Sequence, residues 1–268
     1  MTAGGTASDA LVGAEPTREA LLDVRNVSLR FAGVQALDDV SMSIIAGGTT
    51  AIIGPNGAGK TTLFNCITGL VRPSGEIVLG GIDISDASPH RRARSGLART
   101  FQTPRLVDDK TLFENVMFGA MAHCPRPMAR SSIGRSSSAR ARCDYVIERL
   151  GLSRERSTRA SKLPHAIRRR VEVARAFASA PRLVLMDEPA AGLSVAEALE
   201  LGVLCDELAA EDGCTVLLVE HSVDLVMRVA HTVVVLATGA VLCSGPPAAV
   251  RSHPDVIACY LGIEAASA

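Results

Sequence analysis

The stretch "TTAIIGPNGAGKTTLFNCITGL", residues 49–70, decides the fold. Its opening run, Thr49 to Gly54, reads as a short apolar strand, and Lys60 to Leu70 reads as a helix. Between them "GPNGAGKTT" matches the spacing G-x-x-x-x-G-K-[ST] in the strand–loop–helix context that such a loop requires. Its glycines let the backbone wrap closely, so that successive N–H groups face the oxygens of an anion. The helix that follows adds the partial positive charge of its N-terminus. Lys60 suits the β- and γ-phosphates of a nucleotide, and the Thr61 hydroxyl suits ligation of Mg²⁺. The expected nucleotide-binding set is Gly54, Pro55, Asn56, Gly57, Ala58, Gly59, Lys60, Thr61 and Thr62.

Composition fits that start. The chain has 268 residues, 47% of them hydrophobic but only 3% aromatic, with no Trp, as expected of an Ala/Val/Leu-rich α/β protein. A formal net charge of zero removes any global field for nucleic acid. From Arg126 to Arg182, however, fifteen Lys and Arg face four Asp and Glu. Such a run is either a solvated helical face or a contact for a partner or an anionic lipid surface. The seven cysteines form no CxxC pair and no Cys/His cluster at metal spacing, which points to reduced thiols in a cytosolic protein. No apolar run approaches the roughly 20 residues that span a bilayer, and the N-terminus lacks the pattern of a secretory signal.

Along the chain, residues 1–20 read as a mobile tail, 21–262 as a single domain and 263–268 as a C-terminal tail. "ALLDVRNVSLRF" and "ALDDVSMSII" alternate as half-buried strands do, and "IVLGG" follows as a third strand after the turn "RPSGE". Residues 88–96, 111–122 and 139–151 read as helices, and 123–142, rich in Pro, Ser and Arg, as an irregular insert. Beyond it come a helix at 164–180, buried strands "RLVLMDE" and "CTVLLVE" around a helix at 195–211, a hairpin at 231–245, and a helical end at 246–262. Strands alternating with helices predict a mainly parallel α/β sheet, led by an antiparallel β layer and interrupted by a helical subdomain at about 103–180. The strand "RLVLMDE" delivers Asp187 and Glu188 at its C-terminal end, where ligands of open α/β sheets bind. Asp187 is placed to hold Mg²⁺ through water, and Glu188 to accept the proton of an attacking water.

The order of these motifs resembles the ATP-binding subunits of ABC transporters, a P-loop NTPase family, from about residue 21 to 262. The resemblance implies ATP and Mg²⁺ as ligands and ATP hydrolysis coupled to transport. It implies an adenine-stacking role for Phe31, a reach to Mg²⁺ and the attacking water for Gln102 in "ARTFQTPRL", and a γ-phosphate contact for His221 in "LLVEHSVDLVM". "AGLS", residues 191–194, resembles the family's D-loop. "GPNGAGKTTLFNCITGL", "LARTFQ", "FENVMFGAM", "VEHSVDLVM" and "PDVIACYLG" together look like the subunit of branched-chain amino acid importers, whose relatives carry urea and other small solutes. Such subunits sit peripherally on the cytoplasmic face of the membrane, against membrane-spanning permease subunits and, indirectly, a solute-binding protein. They work as head-to-tail pairs, each closing the other's ATP with a signature turn of the L-S-G-G-Q type.

That turn is altered here. In "KLPHAIRRRVEVARA", residues 162–176, Leu163 and the basic run match, but Pro164 replaces the serine, His165 takes the variable position, Ala166 replaces the second glycine and Ile167 the glutamine. Proline has neither the hydroxyl that would donate to the γ-phosphate nor an N–H. Pro164 does suit a helix's first position, and the N–H groups of Ala166 and Ile167 can still face an anion. The chain's own site is therefore expected to be whole and the face offered to its partner impaired, which favours a heterodimer with a second ATP-binding subunit. Two other readings stand beside this one: a nucleotide-binding regulatory subunit with weak ATPase, and a soluble ABC ATPase acting on nucleic acid or ribosomes, although no nucleic-acid partner is expected.

Overall fold

The computed structural model describes residues 20–122 and 132–259. Strands β1 (Ala20–Phe31) and β2 (Val34–Ile45) pair antiparallel about the Ala32–Gly33 turn. With β4 (Ser74–Leu79) and β5 (Ile82–Asp83) they make a four-stranded antiparallel sheet in the order β2-β1-β4-β5. The alternation of β1 places Leu22, Val24 and Val27 inside. The second sheet has the order β10-β9-β3-β8-β7-β6, with β3 at Gly48–Ile53, β6 at Leu97–Arg99, β7 at Leu183–Asp187, β8 at Thr215–Val219, β9 at Thr232–Ala237 and β10 at Ala240–Gly245. Every pairing in it is parallel except the β9–β10 hairpin. Strands β7 and β8 are buried at every position, which is why they read as continuous apolar runs without alternation.

Helix α1 (Lys60–Thr68) lies between the two sheets, and Leu63, Phe64 and Ile67 join their shared core. Helices α2 (Pro89–Arg94), α3 (Leu112–Met121), α4 (Ser132–Arg149) and α5 (His165–Ala178) precede β7. Helices α6 (Val195–Asp212), α7 (Val223–Val229) and α8 (Pro247–Arg251) follow it. A second core joins α3, α4, α5 and α6 through Val116, Val146, Val171, Phe177, Leu201 and Leu208. Helices α3 and α6 both open on a reciprocal capping box, Thr111 with Glu114 and Ser194 with Glu197, which satisfies two otherwise unpaired backbone donors at each start.

Several elements depart from the sequence reading. The expected irregular insert at 123–142 is helical from Ser132 onward, and 123–131 lie outside the described residues. Residues 137–142 lie on a largely exposed stretch of α4, so they carry no apolar periodicity. The buried face begins at Cys143 and continues through Val146, Ile147 and Leu150. The C-terminal helix is divided, α8 ending at Arg251 and a new helical segment covering 254–259, with Pro254 at the break. Strands β5 and β6 and helix α7 were not foreseen. They are two, three and seven residues long, too short to show a period.

Among the described residues, acids from other elements answer part of the basic run. Arg142 pairs with Asp212, Arg149 with Glu207 and Glu211, Arg168 with Asp108, and Arg170 with Glu200. Three of these four arginines thus tie α4 and α5 to α6.

Gly119 of α3 marks a close approach within this helical layer, since a Cβ there would overlap the carbonyl oxygen of Arg175 on α5. Gly119→Ala should destabilise the protein by about 2 kcal/mol, the usual scale for overpacking. Urea denaturation of the variant against wild type reads that shift directly.

Candidate functional site

The phosphate loop is built where the sheets meet. Gly54 follows the last residue of β3 at φ 151°, and a Cβ there would collide with the carbonyl oxygen of Leu236 in β9. Gly59 is the left-handed N-cap of α1, at φ 99°, and a Cβ there would stand 2.6 Å from the carbonyl oxygen of Ala36 in β2. Side chains are excluded at both positions by space and by backbone geometry. Asn56, Gly57 and Thr61 are exposed to the cleft, while Ala58 is buried. The buried Lys60 ammonium donates to the carbonyl oxygens of Gly54 at 2.6 Å and Pro55 at 2.9 Å. Burial lowers its pKa, opposed by the charges of Glu188 and Asp187.

Glu188 stands at the end of β7 in the left-handed region, at φ 50°, a conformation that a non-glycine residue holds only where its surroundings fix it. Its backbone N–H donates to Val219 O at 2.9 Å, and its carboxylate accepts from two side chains. Gln102 Nε2 donates at 2.8 Å and His221 Nε2 at 2.7 Å. Burial pushes the Glu188 carboxyl up, but these two hydrogen bonds and the charges of His221 and Lys60 outweigh it, so its pKa falls below the ordinary value. The cleft beside it is lined by Val34, Gln35 and Ala36 of β2, Asn56 to Thr62 of the loop, Glu188 and His221. The structure therefore brings the loop, Glu188, His221 and Gln102 together. Phe31 stands at the rim: its ring is exposed at the end of β1, and it pairs across the turn with Val34, which lines the cleft.

Asp187 is 3% exposed. Its Oδ2 accepts from Arg99 Nη2 at 2.9 Å, and its Oδ1 is buried with no hydrogen-bond partner. Burial raises its pKa against the opposing pull of Arg99. A carboxylate with one oxygen unengaged, close enough to the Lys60 ammonium to feel its charge, fits Mg²⁺, which keeps several waters and binds through one or two carboxylates plus substrate phosphates. Among the described residues no group of three or more His, Cys, Asp and Glu could hold a metal by itself. A cation here would therefore draw its remaining ligands from water and nucleotide.

Three buried side chains that the sequence reading passed over shape the site. Glu220, adjoining His221, accepts backbone N–H bonds from Ala190 at 2.9 Å and His221 at 3.2 Å, which holds the histidine's backbone against the loop after Glu188. On α5, Arg169 donates to the carbonyl oxygens of Phe101 at 2.9 Å and of Gln102, and Glu172 accepts from the Phe101 N–H at 3.1 Å. Arg175, one turn further on, donates to Arg105 O at 2.5 Å. Their i, i+3, i+6 spacing was the available signal, a charged stripe on a face that also carries buried Val173 and Phe177.

The altered turn lies at the start of α5. Leu163 is buried, Pro164 is the N-cap without any side-chain capping bond, and His165 is the first helical residue, so proline sits one position earlier than expected. Pro164 and His165 are exposed, Ala166 and Ile167 half-buried. The His165 ring packs against Gly192 of "AGLS", its Cε1 3.0 Å from where a Cβ would stand.

Comparison with known proteins agrees with the fold. The ABC transporter family matches residues 37–191, and the family described as branched-chain amino acid ATP-binding cassette transporter matches residues 240–266. The high-affinity branched-chain amino acid transport ATP-binding protein BraF of Pseudomonas aeruginosa is 36% identical over 249 residues, covering 90% of this chain and 98% of its own length. LivG of Escherichia coli, described in the same words, is also 36% identical with the same coverage. A crystal structure of a nucleotide-free ATP-binding cassette from an ABC transporter superposes with a TM-score of 0.79 at 31% identity, over 90% of this chain and 99% of that one.

Gln102 is the first of the groups that hold Glu188 below its ordinary pKa. Gln102→Ala should therefore raise that pKa and move the acid limb of the pH–rate profile for ATP hydrolysis to higher pH. An acid limb that stays in place would show that Glu188 does not set it.

Proposed function

This chain belongs to the ABC transporter ATP-binding proteins of branched-chain amino acid transport and is the ATP-hydrolysing subunit of such an importer, and we propose the following division of labour among its residues. The reading rests chiefly on one observation: the Glu188 carboxylate is held by Gln102 and His221 at the mouth of the Lys60 loop. The phosphates of ATP lie on the N–H groups of Asn56 to Thr62, and Lys60 exchanges its two carbonyl partners for phosphate oxygens. Glu188, ionised, accepts the proton of the attacking water, while His221 turns its Nε2–H from Glu188 toward the γ-phosphate as the cleft fills. Thr61, Asp187 and Gln102 are the residues that would hold Mg²⁺, which neutralises charge on the β- and γ-phosphates when bound. Phe31, exposed beside Val34 at the rim of the cleft, stacks on adenine.

The subunit is proposed to act peripherally at the cytoplasmic face of the membrane, against permease subunits that a solute-binding protein supplies. Among the described residues no helix is long and apolar enough to cross a bilayer. Its partner across the ATP sites is proposed to be a second, different ATP-binding subunit. Support comes from Pro164, which offers the partner's γ-phosphate neither hydroxyl nor N–H, while Glu188 and His221 remain in place on this chain's own side. The two sites of the pair are then unequal.

Glu188→Gln should lower the ATPase rate of the assembled transporter about 10²- to 10⁴-fold, the contribution of a general base, while nucleotide binding persists. A rate near wild type would remove Glu188 from the chemistry. Restoring the turn with Pro164→Ser, Ala166→Gly and Ile167→Gln should raise the rate. A hydrogen bond to a charged group is worth roughly 1.5–3 kcal/mol, which caps the gain at about 10- to 150-fold. An unchanged rate would mean that this turn does not limit turnover.

A further inference from the structure

Arg99 ends β6 beside β7 with its side chain 7% exposed. Its guanidinium reaches three acceptors on two elements. Nη2 donates to Asp187 Oδ2 at 2.9 Å, and Nη1 donates to Asn65 Oδ1 at 2.7 Å and Thr68 Oγ1 at 3.1 Å, both on α1. The rings of Phe64 on α1 and of Phe101, next to Gln102, lie 5.7 Å and 5.3 Å from its central carbon. Such a buried ion pair is seldom a net gain in stability over apolar side chains of the same volume, because both charges lose their hydration. What it does fix is direction, since a planar fork held at several points leaves its carboxylate little freedom to rotate.

We infer that Arg99 is a positioning residue: it fixes one oxygen of the Asp187 carboxylate, so that the other is presented alone toward the cation that accompanies ATP. This inference rests on the proposed role of Asp187 toward Mg²⁺. The geometry carries it in two ways. Oδ2 is occupied and Oδ1 is buried without a partner, so the carboxylate has a used side and a vacant side. The same guanidinium is anchored to α1, whose first turn carries Lys60 and Thr61, and lies against the ring preceding Gln102. One side chain therefore ties together the segments that carry the three candidate ligands Thr61, Gln102 and Asp187. A lysine has a single nitrogen and cannot hold Asp187, Asn65 and Thr68 with that planar geometry.

The test is equilibrium binding of N-methylanthraniloyl-ATP to the full-length chain, followed by fluorescence as Mg²⁺ is titrated from an EDTA-buffered start. Wild type should bind more tightly as Mg²⁺ rises. Arg99→Lys should match wild type in EDTA but need about 10- to 100-fold more Mg²⁺ to reach half of the tightening, the usual loss when an outer partner of a ligating carboxylate is removed. Thr68→Val, which withdraws one anchor of the guanidinium, should shift the Mg²⁺ midpoint in the same direction by less. It decides the question if Arg99→Lys does not fold. A Mg²⁺ midpoint within about twofold of wild type in the folded variant overturns the inference. So does equal weakening with and without Mg²⁺, which would mark Arg99 as a structural support of the loop. A wild type indifferent to Mg²⁺ would instead retire the cation reading of Asp187, and the inference with it.

Discussion

Two sheets converge on one loop with no room for a side chain between them, and the rest of the molecule is arranged around that fact. β3 delivers Gly54 against the carbonyl of Leu236, and the antiparallel sheet delivers Ala36 against Gly59. The β9–β10 turn closes the gap, with Asp38 N donating to Gly239 O at 2.8 Å and Gly239 N donating to Ala58 O at 3.1 Å. A loop gripped from both sheets is pre-formed, so an anion that binds it meets N–H groups already aimed. The position of α1, and through α1 that of Arg99 and Asp187, follows from where this grip sets Lys60.

What could be read in the sequence was whatever depends on local chemistry. The phosphate loop announces itself because its glycines, its lysine and its hydroxyl are each needed at a fixed spacing. The buried strand before Glu188 does so because both of its faces are covered. The layered architecture followed from strands alternating with helices. The parts that stayed hidden depend on partners far apart in sequence. Nothing in "LAR" says that Arg99 will find an acid 88 positions later. Nor does "SSSARAR" reveal where α4 begins, because the acid that answers Arg142 lies on α6. The role of Phe31 is legible only through the family resemblance, because an exposed ring at a strand end carries no local signal of what it meets.

Strain and burial converge at the far end of the cleft. Glu188 holds a left-handed backbone, keeps a carboxylate charged against desolvation, and is joined to two residues from separate strand ends. Each feature alone has an unfavourable cost, and the surrounding contacts offset it: the Val219 carbonyl behind the backbone, Gln102 and His221 in front. A group held this way changes little before reaction, which is what electrostatic preorganisation requires.

Arg169, Glu172 and Arg175 reach the segment 101–105 almost wholly through its backbone, gripping carbonyls and one N–H that every residue but proline would supply. The attachment of that segment to α5 is therefore indifferent to the identities of Thr103 and Pro104. Those two positions can change without loosening the hydrogen bonds that join α5 to the backbone beside Gln102. The protein keeps a fixed mechanical linkage and an adjustable vocabulary in the same five residues.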